Sequence, residues 1–454
     1  MSTITFTTAA VDLAERFKSA RRRTLELVEP LTPEDMMVQS CPEASPAKWH
    51  LAHTAWFFES FILREFLGGY RVFNEDFAWL FNSYYQSFEV NEPGTAGGKP
   101  ESAFPEKRLR SSFSRPGLEE ILRFRQHVDA GIERLLEQGA PQEALNRIAL
   151  GVHHEEQHQE LLLTDILHAF FTNPLRPRYR EEKSRDQGSE GTRIQRPRDR
   201  GNEGANGSGS EPLQFKAFEG GLHEAGFAGE GFCFDNEMPR HRVWLEPYAL
   251  ATRLVTCGEF AEFMADGGYR RPELWLSAGW DAVQQNGWRA PLYWTESDSA
   301  WEMFTLRGAE TLKQRADAPV CHVSFFEADA YSRWAGCRLA TEFEWEAAAQ
   351  GVPVDGNLLE SGNLAPEAVP DGENESVAQT FGDCWEWTAS AYLGYPGFQA
   401  LPGSLGEYNG KFMSGQMVLR GGSCVTPKAH IRASYRNFFS PETRWQFSGI
   451  RLAK

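Results

Sequence analysis

The composition of the chain changes abruptly between residues 176 and 212. This segment, RPRYREEKSRDQGSEGTRIQRPRDRGNEGANGSGSEP, is rich in Arg, Glu, Gly and Ser and nearly free of apolar residues. A segment of this composition cannot bury enough apolar surface to belong to a core. We therefore predict that residues 176–212 form a flexible linker between a domain of residues 1–175 and a domain of residues 213–454. A length of 454 residues is also too great for one ordinary core.

The two predicted domains differ in their periodicity. Residues 11–171 contain four long amphipathic segments, which predict an all-α up-and-down four-helix bundle. Residues 213–454 contain short strand-like runs, many Gly and Trp residues and irregular connections, and only residues 323–336 and 341–351 have a helical pattern. The second domain is therefore predicted to be α+β with much loop.

The charge and the cysteines exclude several classes of protein. The 46 basic and 63 acidic residues give a net charge of −17, which argues against a nucleic-acid or anionic-membrane surface. The sequence contains no apolar stretch long enough for a membrane span and no signal-peptide pattern at its start, so we expect a soluble cytoplasmic protein with small-molecule substrates. Seven scattered cysteines without a CxxC pair argue against a disulfide framework and a zinc knuckle.

A candidate metal site lies in the fourth helical segment, in the sequence HHEEQHQE. At about 100° per residue, His154 and His158 are about 40° apart on the helix, so both imidazoles can bind one ion. Glu160 lies about 160° from His158 and cannot join them in a regular helix. Asp165 returns to the histidine face and is a candidate hydrogen-bond partner of a ligand.

A third ligand has to come from another helix, and KWHLAHTAWF in the second segment offers His50 and His53. Three imidazoles with open coordination positions suit both non-haem iron and catalytic zinc, so spacing alone does not choose the metal. Pairs of the HxxxH type also occur as ordinary core or surface histidines.

Several longer motifs resemble a known family. WHLAHTAWFFE and HHEEQHQELLLTDILH resemble the DinB-like helical domain of the sulfoxide synthases of the ergothioneine pathway. PVCHVSFFEADAYSRWAGCRLATEFEWEAAA, FGDCWEWTAS, VLRGGSC and FSGIRLA are similar to the formylglycine-generating-enzyme (sulfatase-modifying factor) domain, which has a C-type-lectin-like fold. We see no equivalent of the reactive cysteine pair of the formylglycine-generating enzymes, and a shared fold does not transfer their chemistry.

The resemblance implies an Fe(II)- and O₂-dependent enzyme that joins a sulfur donor to hercynine, the trimethylated betaine of histidine, and oxidises the sulfur. It implies that His53, His154 and His158 hold the iron, with His50 and His153 as neighbours. It also implies that Gln157, about 60° to one side of His154 on the helix, binds the substrate imidazole.

The loop between the second and third helices carries two further sets of candidates. Tyr84 and Tyr85 resemble a tyrosine pair near the iron in the cysteine-using branch of the family. A phenol there can donate a proton or a hydrogen atom during the oxygen chemistry, and Tyr85 is our preferred choice of the two. For the donor carboxylate, the stretch EKRLRSSFSRP departs from the family pattern, and Arg110 is our first candidate and Arg115 our second.

The stretch ASYRNFFSPETRW supplies the remaining predicted contacts. The branch that uses γ-glutamylcysteine has an acidic residue here, whereas this chain has Asn437, Phe438 and Phe439. The resemblance therefore points to free cysteine as the donor, to Asn437 as a partner of the hercynine carboxylate, and to the two phenylalanines as packing partners of the substrates. Outside the family, adjacent phenylalanines are usually core residues.

Three alternatives remain open at this point. A related synthase can use γ-glutamylcysteine or a selenium donor, or histidine as the acceptor. A DinB-like zinc-dependent thiol transferase needs only the histidine site and leaves the second domain unexplained. A non-enzymatic binding module agrees with a lectin-like fold and does not explain the histidines. We expect the pocket to lie between the two domains.

Overall fold

The first domain is the predicted bundle of four long helices. The computed structural model describes residues 10–87, 104–180, 212–297, 300–370 and 377–454. The long helices are α1 Ala10–Val28, α2 Ala47–Phe58, α3 Leu118–Glu137 and α4 Gln142–Thr172. Helix α2 continues through a π-helical turn, Glu59–Leu63, into Arg64–Phe66. The prediction of an all-α first domain is confirmed.

The helices pack according to their apolar faces. Helix α3 buries a stripe at helical spacing on one face only, whereas every residue of α2 is buried, so α2 occupies the centre of the bundle. Helix α4 lies along both α1 and α2. Two helices that contribute candidate metal ligands, α2 and α4, are therefore in direct contact.

A buried ion-pair network sets the rotation of α4 within the bundle. The Glu155 carboxylate is completely buried and accepts hydrogen bonds from Arg21 Nη1 at 2.7 Å, Arg125 Nη2 at 2.8 Å and the Thr24 hydroxyl at 2.6 Å. These partners belong to α1 and α3. Because Glu155 is held on the bundle side, the adjacent His154 is held in a fixed orientation as well.

The second domain contains four small sheets. Their strand orders are β1-β4-β13-β8, β11-β10-β9-β12, β5-β6-β7 and the two-stranded ribbon β2-β3, with β12 parallel to β9 and the other pairs antiparallel. The strands are β1 Phe215–Phe218, β2 Gly221–Ala225, β3 His241–Leu245, β4 Tyr248–Ala251, β5 Trp294–Ser297, β6 Ala300–Thr305, β7 Gly308–Thr311, β8 Arg338–Leu339, β9 Trp385–Ala391, β10 Met417–Arg420, β11 Asn437–Phe439, β12 Ser448–Gly449 and β13 Leu452–Ala453.

The helices of the second domain are more numerous than the sequence pattern predicts. The two predicted helices are present, but the prediction that only those two segments are helical is wrong. The missed helix at residues 257–265 begins with a capping box between Thr256 and Glu259, a signal that was available in the sequence. The missed helix at 277–286 contains a glycine and several polar residues, which weaken its pattern. The helices are α5 Cys257–Ala265, α6 Ser277–Asn286, the short Leu312–Arg315, α7 Phe325–Trp334 and α8 Glu342–Ala349.

The two domains share one continuous apolar core, in which buried residues of the bundle contact those of the second domain. The first residues of the predicted linker take part in this junction. Tyr179 is buried, its hydroxyl donates to the Leu27 carbonyl at 2.5 Å, and its backbone N–H donates to the Leu306 carbonyl at 3.1 Å. Residues 176–180 are therefore not a free linker, and residues 181–211 lie outside the described part of the chain.

Among the described residues, no helix is both long and apolar enough to cross a membrane.

Candidate metal centre and the cavity around it

The structure brings the three predicted ligands together. His53 extends from α2, and His154 and His158 extend from successive turns of α4. Their possible ligand atoms all lie within 4.8 Å of one another, and His53 Nε2 is 3.2 Å from His154 Nε2. The i,i+4 spacing on α4 and the packing of α2 against α4 thus create one three-histidine cluster.

Hydrogen bonds behind the cluster determine which nitrogen of each ring faces inward. His53 Nδ1 lies 2.6 Å from the Phe81 carbonyl, which can only accept, so Nδ1 carries the hydrogen and Nε2 presents a lone pair. The Asp165 carboxylate accepts from His50 Nε2 at 3.0 Å, and His50 Nδ1 then accepts from His158 Nδ1 at 2.8 Å. His158 Nε2 is therefore left with a free lone pair, and Asp165 acts on the site through His50.

The protonation of the three rings suits a metal ion. Burial lowers the pKa of His154 to about 3, and burial followed by the neighbouring histidines lowers the pKa of His53 and His158 well below the usual value. The rings are consequently neutral, with lone pairs directed at one another. His154 Nδ1 is buried and has no hydrogen-bond partner among the described residues. A divalent cation fits this set, because it would use the converging lone pairs that otherwise only repel.

Aromatic stacking fixes His53 and connects it to a buried cation. The rings of Trp49 and Trp56 stack on the two sides of His53, with centroids at 4.4 and 5.2 Å. The Arg110 guanidinium lies 3.5 Å from the Trp49 ring centroid, and its Nη1 donates to the Ser45 hydroxyl at 2.7 Å. Burial lowers the pKa of Arg110 to about 9, so it still carries its charge at neutral pH.

A cavity of about 540 Å³ lies beside the histidines, between the bundle and the second domain. This volume is within the range of small-molecule sites. The predicted site residues that line it are His154, His158, Gln157, Tyr84, Arg110, Asn437, Phe438 and Phe439.

Three other predicted residues, His53, Tyr85 and Arg115, are not among the residues that line the cavity. Tyr85 is fully buried behind Tyr84, with the two rings stacked at 4.6 Å, and it packs against Trp56 and Phe61 of the bundle. Arg115 is exposed at the start of α3. Between the two arginine candidates only Arg110 is held inward, because Ser45 and Trp49 bind it there, so the choice of Arg115 as a donor ligand is not supported.

The sequence reasoning missed two tyrosines of the second domain. Gln157 Nε2 donates to the Tyr435 hydroxyl at 2.7 Å, and the Tyr408 hydroxyl donates to Gln157 Oε1. The Tyr408 ring is 5.7 Å from the ring of His154. Tyr435 precedes Asn437 by two residues in a motif already recognised, whereas Tyr408 follows an irregular loop that has no periodic signal.

Glu160 provides a contact between the domains. As predicted from its position on α4, it does not join the histidine cluster. Its carboxylate accepts from Trp385 Nε1 at 2.5 Å, Ser423 Oγ at 3.2 Å and Thr426 Oγ1 at 2.7 Å, and all three donors belong to the second domain. Helix α4 thus carries the candidate ligands and also anchors the domain that covers them.

The fold and the site define a class of two-domain proteins, in which a helical bundle holds a three-histidine candidate metal centre and an α+β domain covers it. Residues 213–370 and 372–454 match the model of the sulfatase-modifying factor enzyme 1-like domain, and residues 16–162 match that of the DinB superfamily. The first match covers more than half of the sequence, and the chain belongs to the sulfatase-modifying factor enzyme 1-like domain family.

Curated relatives agree with this assignment. The chain is 37% identical to a hercynine oxygenase of Mycobacterium tuberculosis, over 50% of this chain and 57% of that protein. It is 36% identical to a hercynine oxygenase of Mycolicibacterium smegmatis, over 49% and 56%, and 28% identical to a formylglycine-generating enzyme of Streptomyces coelicolor, over 50% and 83%. The matches span little more than half the length of the hercynine oxygenases. The predicted resemblance to the ergothioneine-pathway family is confirmed.

Proposed function

We propose that the protein is a cytoplasmic oxygenase of ergothioneine biosynthesis that joins cysteine to hercynine and oxidises the new thioether to a sulfoxide. One atom of O₂ enters the sulfoxide and the other leaves as water, while the thiol and an imidazole carbon each give up a hydrogen. The observation that supports this proposal best is the cluster of three neutral histidines, two of which line an interdomain cavity, in a chain similar to two hercynine oxygenases.

We infer that His53, His154 and His158 hold Fe(II). Three imidazoles suit this ion and leave coordination positions for other groups. When bound, Fe(II) supplies O₂ activation and lowers the pKa of a thiol, and the residues of the chain itself bind and orient the substrates.

The charged and polar groups of the cavity suit two small zwitterions. Arg110, held flat against Trp49, offers a planar guanidinium to the carboxylate of cysteine. The amide of Gln157 retains one N–H and one lone pair for the imidazole of hercynine. Tyr435 accepts only one of the two N–H groups, and Tyr408 occupies only one of the two lone pairs of the amide oxygen. Asn437, which lines the cavity, is our candidate partner for the hercynine carboxylate.

The aromatic residues of the cavity suit the rest of hercynine and the proton chemistry. Phe438 and Phe439 offer faces to a trimethylammonium group, and they provide no carboxylate for the longer donor γ-glutamylcysteine. Burial raises the pKa of Tyr84, so its hydroxyl stays protonated and is available as a hydrogen donor at the cavity wall. We place Tyr84 ahead of Tyr85 in this role because Tyr84 lines the cavity.

Reconstitution tests the proposal directly. Purified protein loaded anaerobically with Fe(II) and given hercynine, cysteine and ¹⁸O₂ should form hercynylcysteine sulfoxide carrying one ¹⁸O atom, as measured by mass spectrometry. Parallel reactions with γ-glutamylcysteine, selenocysteine or histidine identify the preferred substrates. The absence of product with every pair, together with tight zinc binding and thiol transfer, would overturn the proposal in favour of a zinc-dependent thiol transferase.

A further inference from the structure

A chain of buried hydrogen bonds leads from Gln157 away from the cavity. The Tyr435 hydroxyl is 2.7 Å from Gln157 Nε2 and 2.9 Å from His430 Nε2. On the far side of its ring, His430 Nδ1 is 3.0 Å from His153 Nδ1. The chain therefore leaves the bundle at Gln157, crosses the second domain, and returns to the bundle at His153.

The donors and acceptors of this chain have one consistent direction. Gln157 Oε1 accepts from Tyr408, so the amide turns its nitrogen to Tyr435, and an amide nitrogen can only donate. The Tyr435 oxygen accepts this bond and donates its own hydrogen to His430 Nε2. His430 consequently carries its hydrogen on Nδ1, which faces His153 Nδ1 at 3.0 Å and the Glu156 carboxylate, an acceptor only, at 3.6 Å.

The surroundings of His153 indicate a hydrogen-bonded cluster. His153, Glu156 and His430 have the spacing of a cation site. However, Arg16 Nη2 lies 3.1 Å from Glu156 Oε2 and already supplies a positive charge there. Arg16 Nη2 is also 3.0 Å from His153 Nε2 and 3.4 Å from His153 Nδ1. A group bonded in the ring plane to one of these nitrogens would be far from the other, so Arg16 Nη2 lies over the face of the His153 ring.

We propose that His430 is a positioning residue for the amide of Gln157 and acts through the Tyr435 hydroxyl. A glutamine amide can turn over and exchange its oxygen and nitrogen. With the Tyr435 hydrogen committed to His430, a turned amide would place its oxygen against an oxygen that has no hydrogen to offer. His430 thus selects which group of Gln157 faces the cavity. The identity of the substrate that binds Gln157 rests on the proposed function, whereas the role of His430 in orienting the Gln157 amide does not.

Two amide substitutions of His430 distinguish the roles of its two ring nitrogens. In His430→Gln the longer side chain reaches about as far as Nε2 and can still bind Tyr435. In His430→Asn the shorter side chain reaches about as far as Nδ1 and can bind His153 but not Tyr435. Tyr435→Phe removes the hydroxyl itself. A merely structural contact at the domain interface would not rank the two amides in this way.

The first measurement uses no substrate. Protein with ¹⁵N-labelled glutamine gives a side-chain amide signal for Gln157, which is assigned by its loss in Gln157→Glu. The two amide protons should be widely separated in the unmodified protein and in His430→Gln, and should collapse toward the values of a free amide in His430→Asn and Tyr435→Phe. An unchanged signal in His430→Asn would overturn the proposal.

The second measurement is the affinity of the anaerobic Fe(II) protein for hercynine, by calorimetry. The Kd should rise roughly tenfold in His430→Asn and Tyr435→Phe, and less than about threefold in His430→Gln. Equal losses in the two amide variants would overturn the proposal. If the unmodified protein binds no hercynine, the proposed function fails, while the amide signal still decides the role of His430. Metal content should stay constant in all variants, and the loss of a second equivalent would mean that His153, Glu156 and His430 hold a cation instead.

Discussion

Two glutamates on α4 show how differently its two sides are used. Glu155 faces the bundle and Glu160 faces the second domain, and both carboxylates are fully or almost fully buried. Burial alone raises the pKa of each. At Glu155, Arg21 and Arg125 outweigh this and lower the pKa to about 2. At Glu160, the neutral donors around the carboxylate do not outweigh it, and the pKa stays raised.

The difference separates the part of the site that has to be rigid from the part that joins two domains. Inside the bundle, full charges compensate one another, so the removal of one partner leaves buried charge behind. At the interface, hydroxyl and indole groups satisfy the carboxylate, and hydroxyl groups can reverse their role as donor or acceptor. His154 immediately precedes Glu155 and His158 follows it by three residues, so the network at Glu155 holds both ligands in orientation from the bundle side.

The largest effect on the bundle side of α4 is expected from replacing His154, the histidine next to Glu155. His154→Ala should abolish metal binding and turnover, because only two of the three converging imidazoles then remain to hold the ion. The thermal unfolding midpoint should change little, because the stabilising network belongs to Glu155. Bound metal by elemental analysis and product by mass spectrometry measure the loss. His168→Ala, on the same helix with its imidazole hydrogen-bonded to Ser40, is the matched control and should retain both.

The next largest effect should appear at Glu155. Glu155→Gln leaves the buried guanidinium of Arg125 without its counter-charge and leaves the buried Arg21 with only the partly exposed Asp129, and we expect the free energy of unfolding to fall by about 3–5 kcal/mol. Denaturant unfolding followed by far-UV circular dichroism measures this value. Glu143→Gln, at an exposed ion pair with Arg147 on the same helix, should cost less than about 1 kcal/mol. Similar losses in the two variants would contradict the assigned role of the buried network.

The bundle side of the site could be predicted from the sequence because it is periodic. The i,i+4 spacing placed His154 and His158 together and excluded Glu160. The second helix offered His50 and His53, and only the family resemblance chose His53 between them. The orientation of the rings could not be predicted. It depends on the Phe81 carbonyl and on Asp165 acting through His50, contacts that follow from how the helices and loops pack.

The second-domain side could be predicted only in part. Asn437 and its two neighbours were found through the family motif, whereas Tyr408 and Tyr435 were not, because residues on irregular loops have no period that reports which way they face. Arg110 and Arg115 could not be separated by chemistry alone. Their difference arises from Ser45 and Trp49, which hold only Arg110 inside.

Asp383 extends the comparison to a carboxylate away from the interface. It accepts from the Asn357 side chain at 2.6 Å and from the Glu367 backbone at 2.8 Å, with no cation among these partners, and burial raises its pKa to about 6. Because the folded pKa exceeds the unfolded value of about 3.9, the folded state holds this proton more tightly. Stability should therefore be highest below pH 4 for this group and should fall by about 2–3 kcal/mol between pH 4 and pH 6.

The control for this pH dependence is Asp383→Asn, whose oxygen can accept both hydrogen bonds without ionising. Unfolding of the two proteins across pH 4–7 isolates the contribution of the carboxyl group, because all other titrating groups are shared. If the free energies of unfolding of the two proteins changed in parallel with pH, Asp383 would ionise with no loss of stability. Neutral donors would then compensate a buried carboxylate as well as arginines do.

The smallest effect is expected at Glu160 itself. In Glu160→Gln the amide oxygen can keep the bonds from Trp385 and Ser423, while the amide nitrogen turns to Thr426, whose hydroxyl can accept instead of donate. The substitution also removes a buried charge that has no counter-ion among these three partners. The free energy of unfolding should therefore change by no more than about 1 kcal/mol, in contrast to the matching substitution at Glu155. A loss as large as at Glu155 would mean that the interface needs the full charge of Glu160, and the distinction between the two sides of α4 would fail.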